Sequence, residues 1–360
     1  MEITDVQVKR KAFAETRIVS RPVGDLADGD ILARVDMFAL TANNVSYALS
    51  GEGIGYWKFF PTAEPWGVVP VWGFADVIQS RHPDIAVGER IWGFMPMSSH
   101  VVMTPGRITA RSFVDVVAHR QPLPPIYNSY QRTSGDPPQM KDLEVERCLL
   151  FPLFSTSYVL YDYLVDNAFF GAEQVLVGSA SSKTGYGLCS LLFRHQGARP
   201  RVVGLTSPRN QNFVRTLGVC DGICGYDEID ARDPTVATAF VDMAGNGDVV
   251  AAVHSRYRDG LKLSCAVGAT HWEAPRFRPA EGGVPHTFFF APGQFLKREQ
   301  DWGPGEVMRR ATAEAARMAL DLRPYLNVHR ELGAHEAARA FSALVANETM
   351  PDVGVIARVD

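Results

Sequence analysis

The run Val175-Leu176-Val177-Gly178-Ser179-Ala180-Ser181-Ser182-Lys183-Thr184-Gly185 limits what this chain can fold into more than any other stretch. Apolar, mostly β-branched residues lead into small and hydroxyl-bearing ones, and an apolar-periodic segment over 186–195 follows at once. That is the pattern of a strand, a tight turn and a helix start. The N–H groups of a first helical turn lack intrahelical partners and favour an anion, and small residues let a ligand approach the backbone. The stretch reads as the pyrophosphate turn of a dinucleotide-binding unit, with Gly178, Ser179, Ala180, Ser181, Ser182, Lys183, Thr184 and Gly185 around the phosphates. It departs from the strict G-x-G-x-x-G fingerprint, because serines stand between the framing Gly178 and Gly185. Two other readings compete: a purely structural strand-to-helix turn, and a nucleoside-triphosphate P-loop ending in Lys183-Thr184. The second fails on spacing, since Gly178 lies five residues before Lys183 and Ser182 replaces the second glycine.

Residues after the turn select between cofactors. No Asp or Glu occurs over 174–220, whereas Lys183, Arg194, Arg199, Arg201, Arg209 and Arg215 all do. A second strand, 201–205, ends at Thr206-Ser207-Pro208-Arg209, where an NAD-binding unit offers a carboxylate to the ribose 2′-hydroxyl. Hydroxyls and an arginine there suit a 2′-phosphate, so NADP(H) is expected, with Thr206, Ser207 and Arg209 at the adenosine end. The bland alternative for each arginine is a solvated surface position.

At 360 residues the chain has room for two domains. A hydrophobic fraction of 46%, a charged fraction of 21% and a net charge of −4 are those of a globular protein and give no reason to expect a nucleic acid or an acidic membrane as partner. No basic-then-apolar leader opens the sequence and no apolar run reaches spanning length, so a cytoplasmic location is expected. The five cysteines form no C-x-x-C pair and read as buried free thiols; no metal site is expected.

Residues 1–154 alternate short strands with Gly/Pro/Trp punctuation, as a small barrel or folded sheet does. From 155 onward, strands alternate with helices and imply a doubly wound parallel sheet. Helices are expected near 213–217, 247–257, 305–322 and 334–346, and strands at 239–245, 262–268, 287–291 and 353–357. The segment 120–142, poor in apolar residues and rich in proline, reads as a long loop or insertion.

Several motifs together resemble the medium-chain dehydrogenase/reductase superfamily, in its zinc-free quinone-reductase-like and enoyl-reductase-like branch. Val87-Gly88-Glu89-Arg90-Ile91-Trp92-Gly93 is similar to its V-G-D-R-V-x-G signature, Phe151 to Tyr158 to its proline and T-A-Y segment, and Val175 to Gly185 to V-L-V-x-G-A-A-G-G-V-G. Leu217-Gly218-Val219 and Asp242-Met243-Ala244-Gly245 stand for L-G-A and D-x-x-G. The segment 107–147 has no good counterpart, and Pro125 to Arg132 within it resembles a divergent subgroup known mainly as a domain of unknown function.

The resemblance implies an α/β protein with a GroES-like β-rich catalytic domain over 1–154 (insertion about 107–147), a Rossmann domain over 155–322, and a return to the first domain over 323–360. It implies dimers through an edge strand, for which Phe288-Phe289-Phe290 is the candidate. Asn43-Asn44 and Trp66-Gly67 stand where zinc-dependent members carry ligands, so zinc is not expected. A developing oxyanion then needs hydrogen-bond donors and a protonating side chain. In enoyl-reductase-like relatives a tyrosine after the Asn-rich turn fills this role; Tyr56 is the nearest match and Tyr47 its rival, although either phenol also reads as an aromatic wall. Asn43 is expected near the nicotinamide and Tyr226 near the 2′-phosphate, while Trp57, Tyr127, Tyr130 and Arg132 are candidates to line the substrate. The expected activity is NADPH-dependent reduction of an activated alkene, quinone or carbonyl on an apolar or aromatic small molecule. A non-catalytic NADPH-binding sensor or scaffold, and more distantly a phosphotransferase, are the alternatives.

Overall fold

A computed structural model describes residues 1–268 and 283–360. The chain forms two compact units, Met1–Leu149 with Leu326–Asp360, and Leu150–Tyr325. The junctions fall at 149/150 and 325/326 instead of the expected 154/155 and 322/323. The first shift comes with the helix Phe151–Asp166: its Ser157 hydroxyl donates to the Thr184 carbonyl (2.8 Å), which ties the helix to the turn at 179–182.

Among the described residues of the second unit, six parallel strands form one sheet. Gln174–Gly178 is central, with Arg201–Thr206 and then Gly222–Gly225 on one side, and Thr238–Asp242, Leu261–Ala266 and His286–Phe288 on the other. In chain order this is third, second, first, fourth, fifth, sixth, the strand order of a doubly wound dinucleotide fold whose crevice opens where the order reverses. Gln174–Gly178 and Thr238–Asp242 are buried at every position, which is why they read as continuous apolar runs rather than alternating ones. Phe240, Leu176, Val203 and Leu205 pack with Val249, Val250, Val253 and Tyr257 of the helix Gly247–Tyr257. That helix starts where the sequence places it, because the Asn246 side chain accepts from the Asp248 and Val249 N–H groups.

The expected strand 287–291 is shorter and earlier, His286–Phe288, and Ala291–Trp302 is a helix that was not expected. Pro292 lies in its first turn, where its missing N–H costs nothing.

The first unit is built from two antiparallel-rich sheets. A small one orders Ala12–Pro22, Glu2–Lys9 and Trp66–Val68; the larger runs from Asn327–Leu332 through Val353–Arg358, Ile31–Leu40, Pro70–Ser80 and Arg90–Pro96 to Ser129–Arg132, Ser112–Asp115 and Pro105–Gly106. The C-terminal segment joins by pairing Val355 with Leu40. Part of the segment expected as a loop is therefore in the sheet: Ser129–Arg132 pairs antiparallel with both the strand before it and Arg90–Pro96. Two arginines in and beside it are buried in ion pairs. Arg120, 2% exposed, lies 3.0 Å from the Asp115 carboxylate, and Arg147, 1% exposed, pairs with Asp136 while its guanidinium lies over the Phe74 and Trp92 rings. The Asp115 carboxyl is raised by burial, against the lowering effect of Arg120.

Candidate active site

Within the second unit, the turn after Gln174–Gly178 is four residues long, and the helix starts at Lys183, three residues earlier than the periodicity places it. Ser182 is its N-cap: the hydroxyl accepts from the Gly185 N–H at 3.1 Å. Lys183, Thr184 and Gly185 are thus the first helical turn, the part of a helix that offers N–H groups to an anion. Gly185 is required by close approach, because a Cβ there would sit 2.5 Å from the Ser179 carbonyl oxygen and 3.0 Å from Ala180 Cα. Ser179 adopts φ +50°, a left-handed conformation that a glycine accepts without strain and a serine does not. A backbone cradle closed to side chains, opening on a capped helix start, fits a dinucleotide pyrophosphate. Its Ala180 N–H is fixed to the Leu205 carbonyl at 3.1 Å.

Three of the residues expected at the cofactor have other duties. Thr206 is fully buried and its hydroxyl donates to Ser181 Oγ (3.2 Å), so it pins the turn from beneath rather than facing a ligand. Ser181, also buried, takes a second hydrogen bond from Asn210 Nδ2 (3.3 Å). Tyr226 hydrogen-bonds the backbone and side chain of Ser179, and burial pushes its phenol up to about 12; it lies against the turn after the first strand of the sheet. Ser207, half-buried, caps the short 3-10 turn Pro208–Asn210 that follows the second strand, and exposed Arg209 lies within that turn.

Beside this turn is a polar chain the sequence reading missed. Asp242, at the end of Thr238–Asp242, is 1% exposed and accepts the Ala244 and Gly245 N–H groups at 2.9 and 3.0 Å. Burial raises its carboxyl from 3.8 to about 6. His286 Nε2 lies 3.9 Å away, and the other nitrogen of His286 shares Ser264 Oγ with His254 Nε2, each at 2.8 Å.

In the first unit, Tyr47 and Tyr56 come together with rings 4.6 Å apart, in a cluster with Phe59, Phe94, Trp72 and Tyr127. The expected Asn-rich turn is a helix, Ala42–Leu49: the Asn44 side chain accepts the Thr41 N–H (2.7 Å) and donates to the Pro70 carbonyl (3.0 Å), and Asn43 hydrogen-bonds Tyr47 one turn on. Trp72 Nε1–H donates to the Tyr47 hydroxyl at 3.0 Å, and the Tyr56 and Tyr127 hydroxyls are 2.8 Å apart. Burial raises all three phenols, so each is a neutral donor at ordinary pH.

The other candidates for lining the substrate are displaced by their packing. Trp57 fills the space that Gly51 and Gly67 leave by lacking side chains, apart from the tyrosine cluster. Tyr130 is fully buried: its hydroxyl donates to the Phe94 carbonyl (2.6 Å) and accepts from Arg120 (2.7 Å). Arg132 forms a two-pronged pair with Glu89, both contacts at 2.8 Å. Tyr127 alone of the four joins the tyrosines. Among the described residues, no group of three or more His, Cys, Asp or Glu side chains is placed to hold a metal, and no helix is long and apolar enough to cross a membrane.

The model of the family described as "Protein of unknown function (DUF2855)" matches residues 38–350. The chain belongs to the DUF2855 family. No curated protein matches it. Among solved structures, CurA from Vibrio vulnificus in complex with NADPH is similar to this family member at TM-score 0.61 and 13% identity, covering 100% of this chain and 99% of that one. The mycobacterial protein Rv1454c complexed with NADPH gives 0.56 and 14%, with 99% of each chain covered. The quinone oxidoreductase from Coxiella burnetii gives 0.52 and 14%, with both chains covered in full. At these identities the likeness shows the fold, a GroES-like β-rich domain with a Rossmann domain, as the two units described above display.

Proposed function

We propose that this DUF2855 protein is a zinc-independent, NADPH-dependent reductase that delivers hydride to an activated alkene, quinone or carbonyl of an apolar or aromatic small molecule. The observation that carries the reading is the capped, glycine-closed turn at Ser179–Gly185, followed by a second strand, Arg201–Thr206, that leads into Ser207 and Arg209 with no carboxylate. Two neighbours of the same fold were solved with NADPH, which supports the cofactor. Zinc independence is supported by Asn43-Asn44 and Trp66-Gly67 at the positions where the resembling superfamily carries ligands. A homodimer through the edge strand His286–Phe288, whose Phe288 is 62% exposed, belongs to the same proposal.

Bound at the turn, NADPH supplies a hydride. The protein supplies the rest: a water-poor aromatic surface for an apolar substrate, and a phenol that hydrogen-bonds the developing oxyanion and gives up a proton. Tyr56 is the better of the two phenols. The donors on the Tyr47 oxygen are an indole and an amide, which can steady a phenolate but cannot resupply its proton; the partner of Tyr56 is a hydroxyl.

The test is loss of nicotinamide absorbance with a panel of enones, quinones and aldehydes. Wild-type turnover that collapses in Tyr56→Phe, with NADPH affinity retained, is the expected result; no turnover with NADPH tightly bound favours the sensor reading instead. The near-complete burial of both phenols, 5% and 6% exposed, is what keeps that second reading in play.

A further inference from the structure

Tyr127 lies in the one stretch for which the sequence offered no counterpart, yet it packs against the buried tyrosines of the cluster. Its ring packs on Phe94 at 4.6 Å and stands edge-on to Tyr56 at 5.5 Å and to Phe59 at 5.6 Å. The 3-10 turn that carries it, Pro125–Asn128, is held by Asn128 Nδ2 donating to the Arg120 carbonyl (3.2 Å). The buried Arg120 guanidinium in turn donates to the Phe59 carbonyl (3.1 Å) and to Tyr130, and Tyr130 to the Phe94 carbonyl. The backbone on which Tyr127 rides is therefore bolted to the residues that wall Tyr56.

We infer that Tyr127 is a positioning residue: it fixes the Tyr56 phenol oxygen and forms with it a two-hydroxyl relay that returns a proton to Tyr56 after each reduction. This rests on the reading of Tyr56 as proton donor. Two phenols 2.8 Å apart share one hydrogen bond, and either could donate. If Tyr56 donates to Tyr127, its proton is occupied. If Tyr127 donates, the Tyr56 oxygen is held while its own O–H is free to point at a substrate, and only this arrangement serves the reaction.

The step balances as follows for an enone. The β-carbon accepts hydride with its electron pair, and the π pair moves to give the enolate. The Tyr56 O–H bond breaks and its proton forms a bond at the α-carbon. The Tyr127 proton crosses to the Tyr56 oxygen, and Tyr127 takes one from water. The substrate has gained one hydride and one proton, and both phenols are neutral again. A lone phenolate in so apolar a cluster is costly, and a hydrogen bond to a charged oxygen is among the strong ones, so the second hydroxyl matters most when Tyr56 is ionised.

The experiment compares full-length wild type, Tyr56→Phe, Tyr127→Phe and the double variant, by steady-state NADPH oxidation in H2O and D2O. Tyr127→Phe is expected to lower kcat roughly 10- to 100-fold, the size of a hydrogen bond to a charged group. KM should stay within about threefold, the solvent isotope effect on kcat should rise, and the change should add nothing in the Tyr56→Phe background. Turnover of Tyr127→Phe at the wild-type rate, or a loss that adds to that of Tyr56→Phe with the isotope effect unmoved, overturns the relay and leaves the reductase reading intact. A Tyr56→Phe variant as active as wild type, or a wild type that oxidises NADPH with no acceptor, removes the proton-donor reading and the relay with it.

Discussion

Replacing Gly185 by alanine puts a methyl carbon 2.5 Å from the Ser179 carbonyl oxygen, 3.0 Å from Ala180 Cα and 3.0 Å from Ser182 Oγ. Two of those atoms are backbone, so no rotamer change relieves the clash and the turn or the helix must move. Overpacking of this kind costs about 1–3 kcal/mol. Loss of the Ser182 cap on the Gly185 N–H adds about 1 kcal/mol, and alanine's better helix propensity offsets about as much. The net is roughly 1–3 kcal/mol, a melting temperature lower by about 2–12 °C for a unit of this size. The larger effect is expected on binding if, as proposed, the N–H groups of this turn meet the phosphates: loss of one charge-assisted hydrogen bond weakens NADPH by roughly 10- to 100-fold. Gly187→Ala is the control. Its methyl meets Ser157 Oγ at 2.5 Å and the Phe154 ring at 2.9 Å, on the side of the helix Phe151–Asp166. It should destabilise comparably and, since it reaches the turn only through the Ser157 bond to the Thr184 carbonyl, lower NADPH affinity less than Gly185→Ala does. Calorimetric titration of both variants with parallel thermal unfolding reads the two terms separately. Wild-type affinity in Gly185→Ala, or an equal loss in Gly187→Ala, would refute the account of the turn.

Three further outcomes are expected. Between pH 4 and 6 the native chain holds a proton on Asp242 that the unfolded chain has released, so this carboxyl makes stability fall as pH rises, by roughly 3 kcal/mol in all. His254, lowered by burial from 6.5 to about 4, has the opposite slope over nearly the same window, because the unfolded chain takes up its proton first. Urea midpoints of Asp242→Asn should therefore climb more steeply with pH across that window than those of wild type; parallel curves would show that Asp242 is not the titrating group. Arg147→Ala strands Asp136 and empties the space between Phe74 and Trp92, and should cost about 3–5 kcal/mol in chemical denaturation; a loss under about 1 kcal/mol, the size of a surface pair, would mean the 107–147 segment is held by other contacts. Phe288→Lys should convert a dimer to monomer in sedimentation if the exposed edge strand is the interface; an unchanged sedimentation coefficient would place the contact elsewhere.

The nucleotide unit was legible because its signals are local. A buried central strand reads as an unbroken apolar run, and Asn246 and Gly305 announce the helices Gly247–Tyr257 and Glu306–Leu322 one residue ahead. The helix start at Lys183 was placed late because Ser182 is one of several hydroxyl residues, and only its reach to the Gly185 N–H distinguishes it as the cap. Ala291–Trp302 was lost to its neighbours: three phenylalanines suggest strand and Pro292-Gly293 suggests a break, although a helix tolerates proline in its first turn. The 107–147 segment misled for a different reason. Its composition is polar because its burial is ionic, Arg120 with Asp115, Arg147 with Asp136 and Arg132 with Glu89, and pairings over such distances have no periodicity to read. The same blindness separated Tyr127 from Tyr56, 71 residues apart in sequence and 2.8 Å apart between hydroxyls. Thr206, Trp57 and Tyr130 are plausible by type and position, and the packing and hydrogen bonds that engage their side chains could not be read from either.

The measurement that bears most directly on the proposed function is calorimetric titration of the wild-type protein with NADPH, NADH and Mg-ATP under one set of conditions. A turn built for pyrophosphate, beside a strand end with Ser207 and Arg209 and no carboxylate, predicts NADPH binding at least roughly tenfold tighter than NADH, a difference of about 1.4 kcal/mol from the 2′-phosphate alone, and no heat with Mg-ATP. Equal affinity for the two nicotinamide cofactors would contradict the assignment of the adenosine end, and binding of Mg-ATP without either would contradict the reductase altogether.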